Sequence, residues 1–181
     1  MSYSNITKNA YASALKKLLQ QEPFEKVTVS QICEKYDLSR KNFYYHFRDK
    51  YDLVDWIFDE DCIALFKDGS DGRWESFEKL CNYFYENREF YRKVLTVEGQ
   101  NSFSAHFEEF LYPLIQNRLQ NIFGEKEVNS ICVDFTTDGL ICTIRRWLLS
   151  KDPVPAEKFV STLKSLVENV AANYSGEENN L

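Results

Sequence analysis

Glycine, proline and histidine are scarce in this sequence, whose 181 residues include 6 Gly, 4 Pro and 2 His. So few turn-forming residues argue against a turn-rich sheet protein and favour long helices. The five cysteines are scattered without a CxxC spacing, and their odd number suggests no disulfide framework. With only His46 and His106 beside them, no zinc-type ligand pattern is present. We predict a chain that needs no metal and no cofactor and works in a reducing compartment.

Long apolar runs and catalytic motifs are also missing. No stretch of about 18 apolar residues occurs, and the N-terminus lacks the apolar core and cleavage site of a signal peptide. The sequence contains no GxSxG, P-loop, GxGxxG or HExxH pattern. We therefore expect a cytoplasmic protein that is not an enzyme and does not associate with membranes.

Aromatic residues are abundant, with 14 Phe, 11 Tyr and 3 Trp, and the apolar positions recur at helical spacing. This pattern predicts an all-α fold of about nine helices. We expect a bend or interruption at Pro113 and a helix end at Gly124. The predicted helices cover residues 6–20, 29–36, 40–47, 50–67, 73–86, 88–95, 102–123, 127–150 and 156–173.

The charge is divided unevenly along the chain. Residues 1–52 carry a net charge of +3, whereas the remainder carries −9. A basic segment on an acidic protein suits the reading of a polyanion, because phosphate attraction needs only a local positive potential. A solvated helix face is the alternative explanation. We predict a DNA-binding domain over 1–49, a helical sensing and dimerisation domain over 50–174, and a disordered tail over 175–181.

Short cap signals divide the basic segment into two brief helices. Thr28 and Gln31 have the spacing of a capping box. Asp37 tolerates a left-handed turn, Ser39 is a good N-cap for the next helix, and Asp49 is placed to cap the one after it. Two short helices joined by about four residues predict a helix-turn-helix, in which the second helix reads the major groove of DNA.

The second of these helices carries the residues that we expect to contact DNA. Arg40 and Lys41 could donate hydrogen bonds to guanine, and Asn42 could pair with adenine or cap the helix. Tyr44 and His46 suit phosphates, although a structural role for His46 is the alternative.

Four further residues complete this part of the prediction. Phe43 and Phe47 lie four residues apart and should pin the helix to the core. Tyr45 could either pack or place its hydroxyl at the DNA edge. Lys50 begins the following helix and should add a phosphate contact.

The segment FEKVTVSQICEKYDLSRKNFYYHFRDKYDLVDWIF, residues 24–58, resembles the DNA-binding segment of TetR family transcriptional regulators. The FYYHF block followed three residues later by Lys50 is the most specific match, and Asp37 departs from the glycine that is usual in the turn. Ser39 falls at the helix cap, from which it could also touch the DNA backbone. By resemblance, the positions that contact DNA are Thr28, Arg40, Lys41, Asn42, Tyr44, His46 and Lys50.

Near the C-terminus, DGLICTIRRWLLSKDPVPAEKFVSTL resembles the closing helix pair of a TetR subgroup that includes regulators of dihydroxyacetone kinase operons. The resemblance implies a homodimer formed through a four-helix bundle, with Gly139 allowing close approach; the alternative is that these residues only close the monomer core. The predicted interface comprises Ile131, Phe135, Gly139, Ile141, Ile144, Leu148, Phe159, Leu163, Leu166 and Val170.

In this family the middle helices hold a small-molecule pocket, whereas an aromatic stripe by itself could equally be plain core. The candidate pocket residues are Trp56, Cys62, Phe66, Trp74, Phe77, Cys81, Phe84, Tyr85, Phe103, His106, Phe107 and Phe110. The resemblance implies a repressor that binds a double-stranded DNA operator and responds to an effector. The alternative function is a transcriptional coactivator controlled by a protein partner.

Overall fold

A computed structural model of the chain describes residues 3–66, 74–97, 103–124 and 128–177, and every regular element within those ranges is helical. This confirms the all-α prediction. A short 3-10 helix spans Phe24–Lys26. The α-helices are α1 (Tyr3–Leu18), α2 (Val29–Glu34), α3 (Arg40–His46), α4 (Lys50–Phe66), α5 (Trp74–Glu86), α6 (Arg88–Val94), α7 (Phe103–Phe123), α8 (Ser130–Leu149) and α9 (Ala156–Glu177).

Most predicted helix bounds agree with the observed ones to within about three residues. Gly124 follows α7 with a φ of +88°, and its N–H donates to the carbonyl of Gln120, as expected of a helix end. Helix α7 continues through Pro113, so it is not interrupted there, and the bend that was the alternative stays a prediction. Helix α9 reaches Glu177, four residues beyond the predicted helix end at residue 173; residues 178–181 of the predicted tail lie outside the described ranges.

Packing divides the chain into two compact units. The first contains residues 1–64 and 87–106, and the second contains residues 65–86 and 107–181. The first unit therefore includes most of α4, all of α6 and the start of α7, in addition to the predicted DNA-binding segment. The functional boundary at residues 49 and 50 is a prediction that this division by packing does not test.

The core of the first unit is built around α1. Tyr11, Ala14 and Leu15 are fully buried there, and α2 packs against both α1 and α3. Lys93 on α6 donates to the backbone carbonyls of Leu19 and Glu22, where α1 has ended. These bonds satisfy carbonyls that have no partner within the helix.

Aromatic rings form the core of the second unit. Trp147 of α8 lies between Tyr85 of α5 and Phe159 of α9, with ring centroids 5.9 and 4.3 Å away and nearly parallel planes. The indole N–H of Trp147 donates to the carbonyl of Val154 at 2.7 Å, so the ring is buried without an unpaired donor. This stack connects three helices in one row.

Candidate nucleic-acid interface

Local hydrogen bonds determine where α2 and α3 begin. The Thr28 hydroxyl accepts the Gln31 N–H at 3.2 Å, and Gln31 Oε1 accepts the Thr28 N–H at 2.7 Å, which confirms the predicted capping box. Ser39 Oγ accepts the Asn42 N–H at 3.3 Å, so Ser39 is the N-cap of α3 as predicted. Asp49 Oδ1 accepts the N–H groups of Tyr51 and Asp52, which confirms the third cap.

The turn between α2 and α3 depends on a left-handed residue. Asp37 has a φ of +50°, the one positive φ outside glycine in the described backbone. This conformation lets the Leu38 N–H return to the carbonyl of Cys33 at 2.8 Å. The departure from glycine at Asp37 therefore leaves the turn geometry intact, as predicted from the tolerance of Asp for this region.

Aromatic contacts attach α3 to α1. Phe43 is fully buried and Phe47 nearly so, and the Tyr11 ring meets their rings edge-on with centroid distances of 5.1 and 6.3 Å. The Tyr11 hydroxyl donates to the carbonyl of Ser39 at 2.8 Å, and burial raises the pKa of Tyr11. These contacts confirm that Phe43 and Phe47 are core residues and fix the orientation of α3.

The opposite face of α3 is solvent-exposed. Arg40 and Lys41 are exposed in the first turn, and Tyr44 is half-exposed beside the Phe43 ring. Tyr45, which the sequence left between packing and DNA contact, is 82% exposed. The structure therefore places Tyr45 on the same accessible side as the basic residues, where its ring and hydroxyl are free to meet a ligand.

The remaining polar residues of the segment are partly engaged within the protein. The Asn42 side chain hydrogen-bonds the Tyr11 hydroxyl, and the Thr28 hydroxyl also donates to Gln31 Oε1. His46 is half-buried, and its burial together with the charge of Lys8 lowers its pKa below the usual value. At neutral pH, His46 can therefore offer a phosphate a hydrogen bond but no positive charge.

Lys50 occupies a structural position that the sequence did not reveal. Its ammonium donates to the carbonyls of Phe24, Glu25 and Val27 at 2.7, 3.1 and 2.8 Å, and lies 4.6 Å from the centre of the Phe24 ring. Because an ammonium has three N–H donors, all of them are occupied. Partial burial lowers the pKa of Lys50. These bonds make Lys50 an anchor for the 3-10 helix and argue against its phosphate contact, which stays a prediction.

Two family models match this chain. The model described as "Bacterial regulatory proteins, tetR family" covers residues 13–57, which include α2, α3 and the turn between them. The model described as "Transcriptional regulator C-terminal region" covers residues 73–169, more than half of the chain. The chain belongs to the TetR family of transcriptional regulators. Members of this family are regulators and not enzymes, which agrees with the absence of catalytic motifs noted above.

Individual relatives agree with this assignment. A TetR-family protein of Lactococcus lactis subsp. lactis (strain IL1403), named "HTH-type dhaKLM operon transcriptional activator DhaS", is 30% identical over 132 residues, covering 72% of this chain and 67% of the relative. This similarity confirms the predicted subgroup.

Two solved structures share the fold. One, "Dihydroxyacetone kinase operon activator DhaS", has a TM-score of 0.64 and 24% identity, and the alignment covers 92% of this chain and 97% of that one. The other, a TetR transcriptional regulator from Streptococcus agalactiae 2603V, has a TM-score of 0.70 and 22% identity, with coverage of 91% and 94%.

None of the described helices is both long and apolar enough to span a membrane.

The TetR-type C-terminal region contains an apolar cavity of about 730 Å³ among α5, α7, α8 and α9. Of the twelve predicted pocket residues, Trp74 and Phe77 line it. Arg118 of α7 also lines it and was missed. The available signal was its place at helical spacing within an otherwise apolar stripe of α7 that includes Leu111, Leu114 and Ile122.

The other predicted pocket residues do not line this cavity where they are described, and most of them fill the cores of the two units. Trp56 and His106 line a separate polar cavity of about 240 Å³ in the first unit, where His106 Nε2 lies 2.7 Å from Asp59. Phe110 is half-buried on α7, and the Phe66 side chain lies outside the described part. The buried or stacked core members are Cys62, Cys81, Phe84, Tyr85, Phe103 and Phe107.

The predicted dimer residues fall into two groups. The monomer core already buries Ile144, Leu148 and Phe159, while Ile141 and Leu163 are half-buried. The other group stays exposed on α8 and α9, although most of its members are large and apolar. It comprises Ile131, Phe135, Gly139, Leu166 and Val170.

Proposed function

We propose that this TetR-family regulator is a homodimer that reads a double-stranded DNA operator with α3. The observation that carries the proposal is the two-sided character of this helix. Phe43 and Phe47 hold one face in the core, while Lys41 and Tyr45 are exposed on the other and Arg40 is exposed at the N-terminal end of the helix. Basic and aromatic groups held by a rigid scaffold suit contacts to phosphates and base edges in a major groove.

Selection of bound fragments from the genome of the source organism tests DNA binding. We expect the purified chain to enrich specific duplex fragments. Replacement of the exposed Lys41 by Met should weaken binding and lower the slope of log affinity against log salt by about 1. Lys158→Met, an exposed basic position on α9, serves as the matched control. Absence of enrichment, or identical salt slopes for Lys41→Met and the unchanged chain, would contradict the proposal.

The homodimer is supported by the exposed apolar residues of α8 and α9. Phe135 is 80% exposed and Ile131 is 74% exposed, and exposed apolar residues grouped on two neighbouring helices are typical of a protein-protein contact. A two-fold dimer would also present two copies of α3 to half-sites about 34 Å apart along the DNA. The regulator would act in the compartment that holds its DNA, which we expect to be the cytoplasm.

The large cavity supports control by a small-molecule effector. Its volume of about 730 Å³ falls within the range of ligand pockets, about 300–1,000 Å³. The alternative, a coactivator controlled by a protein partner, would be favoured by exposed aromatic side chains on α5, α6 and α7. The described aromatic side chains of those helices are buried or half-buried, so the cavity carries the stronger argument.

Whether this regulator represses or activates transcription is a question on which the named relative differs from the prediction made from the sequence. Repression was expected from the family, whereas the curated relative is named a transcriptional activator. That name favours activation for this chain. A reporter gene placed behind a selected operator tests it: deletion of the regulator should lower expression under activation and raise it under repression.

A further inference from the structure

The cavity in the second unit has an unusually uniform wall. Of its 22 described lining residues none is acidic, and Arg118 is the one charged residue among them. Leu80 and Leu111 are buried in the wall, while Leu166 and Val170 lie at its exposed side. A ligand with an apolar body would gain from covering the buried part of this wall, whereas Leu166 and Val170 also belong to the proposed dimer interface.

Two of the three hydroxyl groups of the wall donate to carbonyls of their own helix. Thr136 Oγ1 donates to the carbonyl of Cys132 at 2.7 Å, and Thr143 Oγ1 donates to the carbonyl of Gly139 at 2.6 Å. A hydroxyl carries a single proton, so these two groups can accept a hydrogen bond from a ligand but have no proton left to donate. A polyol would therefore replace only some of its hydrogen bonds to water along this wall.

Two other donors lack a protein acceptor within the described part of the chain. The Trp74 indole N–H is buried and unpaired. The Arg118 guanidinium lies 5.7 Å from the centre of the Trp74 ring and forms no ion pair with a described carboxylate. Buried donors are nearly always satisfied, so the unpaired indole N–H of Trp74, with the positive charge of Arg118 beside it, marks a place where an anionic acceptor would be held.

We infer that this cavity binds an amphipathic carboxylate, with its apolar chain against the wall and its anionic head at Arg118 and Trp74. The inference deepens the proposed effector control and rests on it. A cationic ligand would meet the uncompensated charge of Arg118. A neutral apolar ligand would leave both donors unpaired.

Calorimetry with two compounds of equal chain length tests the inference without using DNA. Sodium dodecanoate carries the anionic head, whereas dodecanol does not, and both are used below the concentrations at which they aggregate. We expect the chain to bind dodecanoate at least about tenfold more tightly than dodecanol, because charge-assisted hydrogen bonds form only with the carboxylate.

Substitutions locate the head group. Arg118→Met keeps an apolar stem in the wall and should abolish the preference for dodecanoate, while Arg118→Lys should restore part of it. Trp74→Phe keeps the ring but removes the N–H donor and should reduce the preference. Arg146→Met, an exposed position on α8 outside the cavity lining, is the control and should behave as the unchanged chain does. Circular dichroism of each variant verifies folding.

Three outcomes would overturn the inference. Equal affinities for the two compounds would remove the role of the anion. An unchanged preference in both Arg118→Met and Trp74→Phe would place the head group elsewhere. Failure of both compounds to bind a chain that sediments as a dimer would mean that a second copy covers the cavity. Fragment selection with the same preparation shows separately whether the proposed DNA binding has failed.

Discussion

At the scale of single residues, the ammonium groups of Lys41 and Lys50 have different surroundings. Lys41 is exposed on α3 and makes no described contact, whereas Lys50 donates to three carbonyls within the 3-10 helix and just after it. Both residues are basic and lie close in sequence, but only Lys41 has donors available for a phosphate. A substitution at Lys50 should therefore lower the stability of the fold, whereas a substitution at Lys41 should weaken DNA binding and leave the stability almost unchanged.

Replacement of Lys50 by Met should lower the free energy of unfolding by about 1–3 kcal/mol, because the partly buried hydrogen bonds to Phe24 and Val27 and the exposed one to Glu25 are lost. Replacement of the exposed Lys41 by Met should change it by less than about 0.5 kcal/mol. Urea unfolding followed by circular dichroism measures both values. A Lys50 variant as stable as the Lys41 variant would show that the three hydrogen bonds add nothing.

Asp55 on α4 should change its charge at a higher pH than an ordinary aspartate does. Burial, opposed by His106 and reinforced by Asp52, Asp59 and Asp49, raises the pKa of Asp55 to about 6 from 3.8. Its Oδ1 atom is buried without a hydrogen-bond partner in the described structure. Between pH 3.8 and about 6, Asp55 of the folded chain therefore keeps a proton that Asp55 of the unfolded chain has already released.

The folded state should consequently lose stability as the pH rises between 3.8 and about 6, and above that range the cost persists in full. Asp55→Asn removes the titration, so its unfolding free energy should fall less over the same interval. Urea midpoints measured at about pH 5 and about pH 7.5 provide the comparison. Glu60→Gln, an exposed neighbour on α4, controls for the loss of one negative charge. Parallel profiles for Asp55→Asn and the unchanged chain would refute the assignment.

At the scale of the elements, the turn between α2 and α3 shows how far local sequence determines structure. Each local feature depends on residues only a few positions away in the sequence. This holds for the caps at Thr28, Ser39 and Asp49, for the left-handed turn at Asp37 and for the helix end at Gly124. Such preferences act on the backbone before tertiary contacts form, which is why they are readable from one sequence.

Contacts between distant residues were not readable in the same way. The carbonyl partners of Lys50 lie 23–26 positions earlier in the chain, and nothing in the local sequence indicates them. The aromatic stripes of α5 and α7 left ligand pocket and plain core open as alternatives; Phe84 and Phe107 are buried in the core and do not line the large cavity. Helical spacing defines an apolar face, whereas packing decides whether that face meets another helix or empty volume.

The left-handed residue in the turn gives a test at this scale. Asp37→Gly should be more stable than Asp37→Ala by about 1 kcal/mol, because glycine adopts a positive φ freely and alanine has neither that freedom nor a polar side chain. Thermal unfolding of both variants measures the difference. Equal stabilities would mean that the turn relaxes away from the left-handed conformation.

At the scale of the whole molecule, the exposed apolar residues of α8 and α9 predict association. Leu166 and Val170 lie one helical turn apart on α9 and are 59% and 52% exposed. Removing such a group from water on association contributes about 25 cal/mol per Å² of apolar surface. A single charge placed among these residues would have to be desolvated in the interface.

Replacement of Val170 by Asp should therefore convert the dimer to a folded monomer, with sedimentation velocity reporting the mass and circular dichroism the helix content. Ser165→Asp introduces the same charge on a different side of α9, at an exposed position, and should remain dimeric. Dimers formed equally by both variants would indicate an interface elsewhere. A monomeric unchanged chain at micromolar concentration would refute the homodimer itself.

The separation of roles on the seven residues of α3 has a consequence for how this regulator can evolve. Phe43 anchors the helix from one side, whereas Lys41 and Tyr45 on the other side and Arg40 at the N-terminal end are exposed and contribute little to the core. Mutations at the exposed positions can therefore accumulate with little loss of folding stability. Gene duplicates of such a protein could diverge to new operators while keeping the same scaffold.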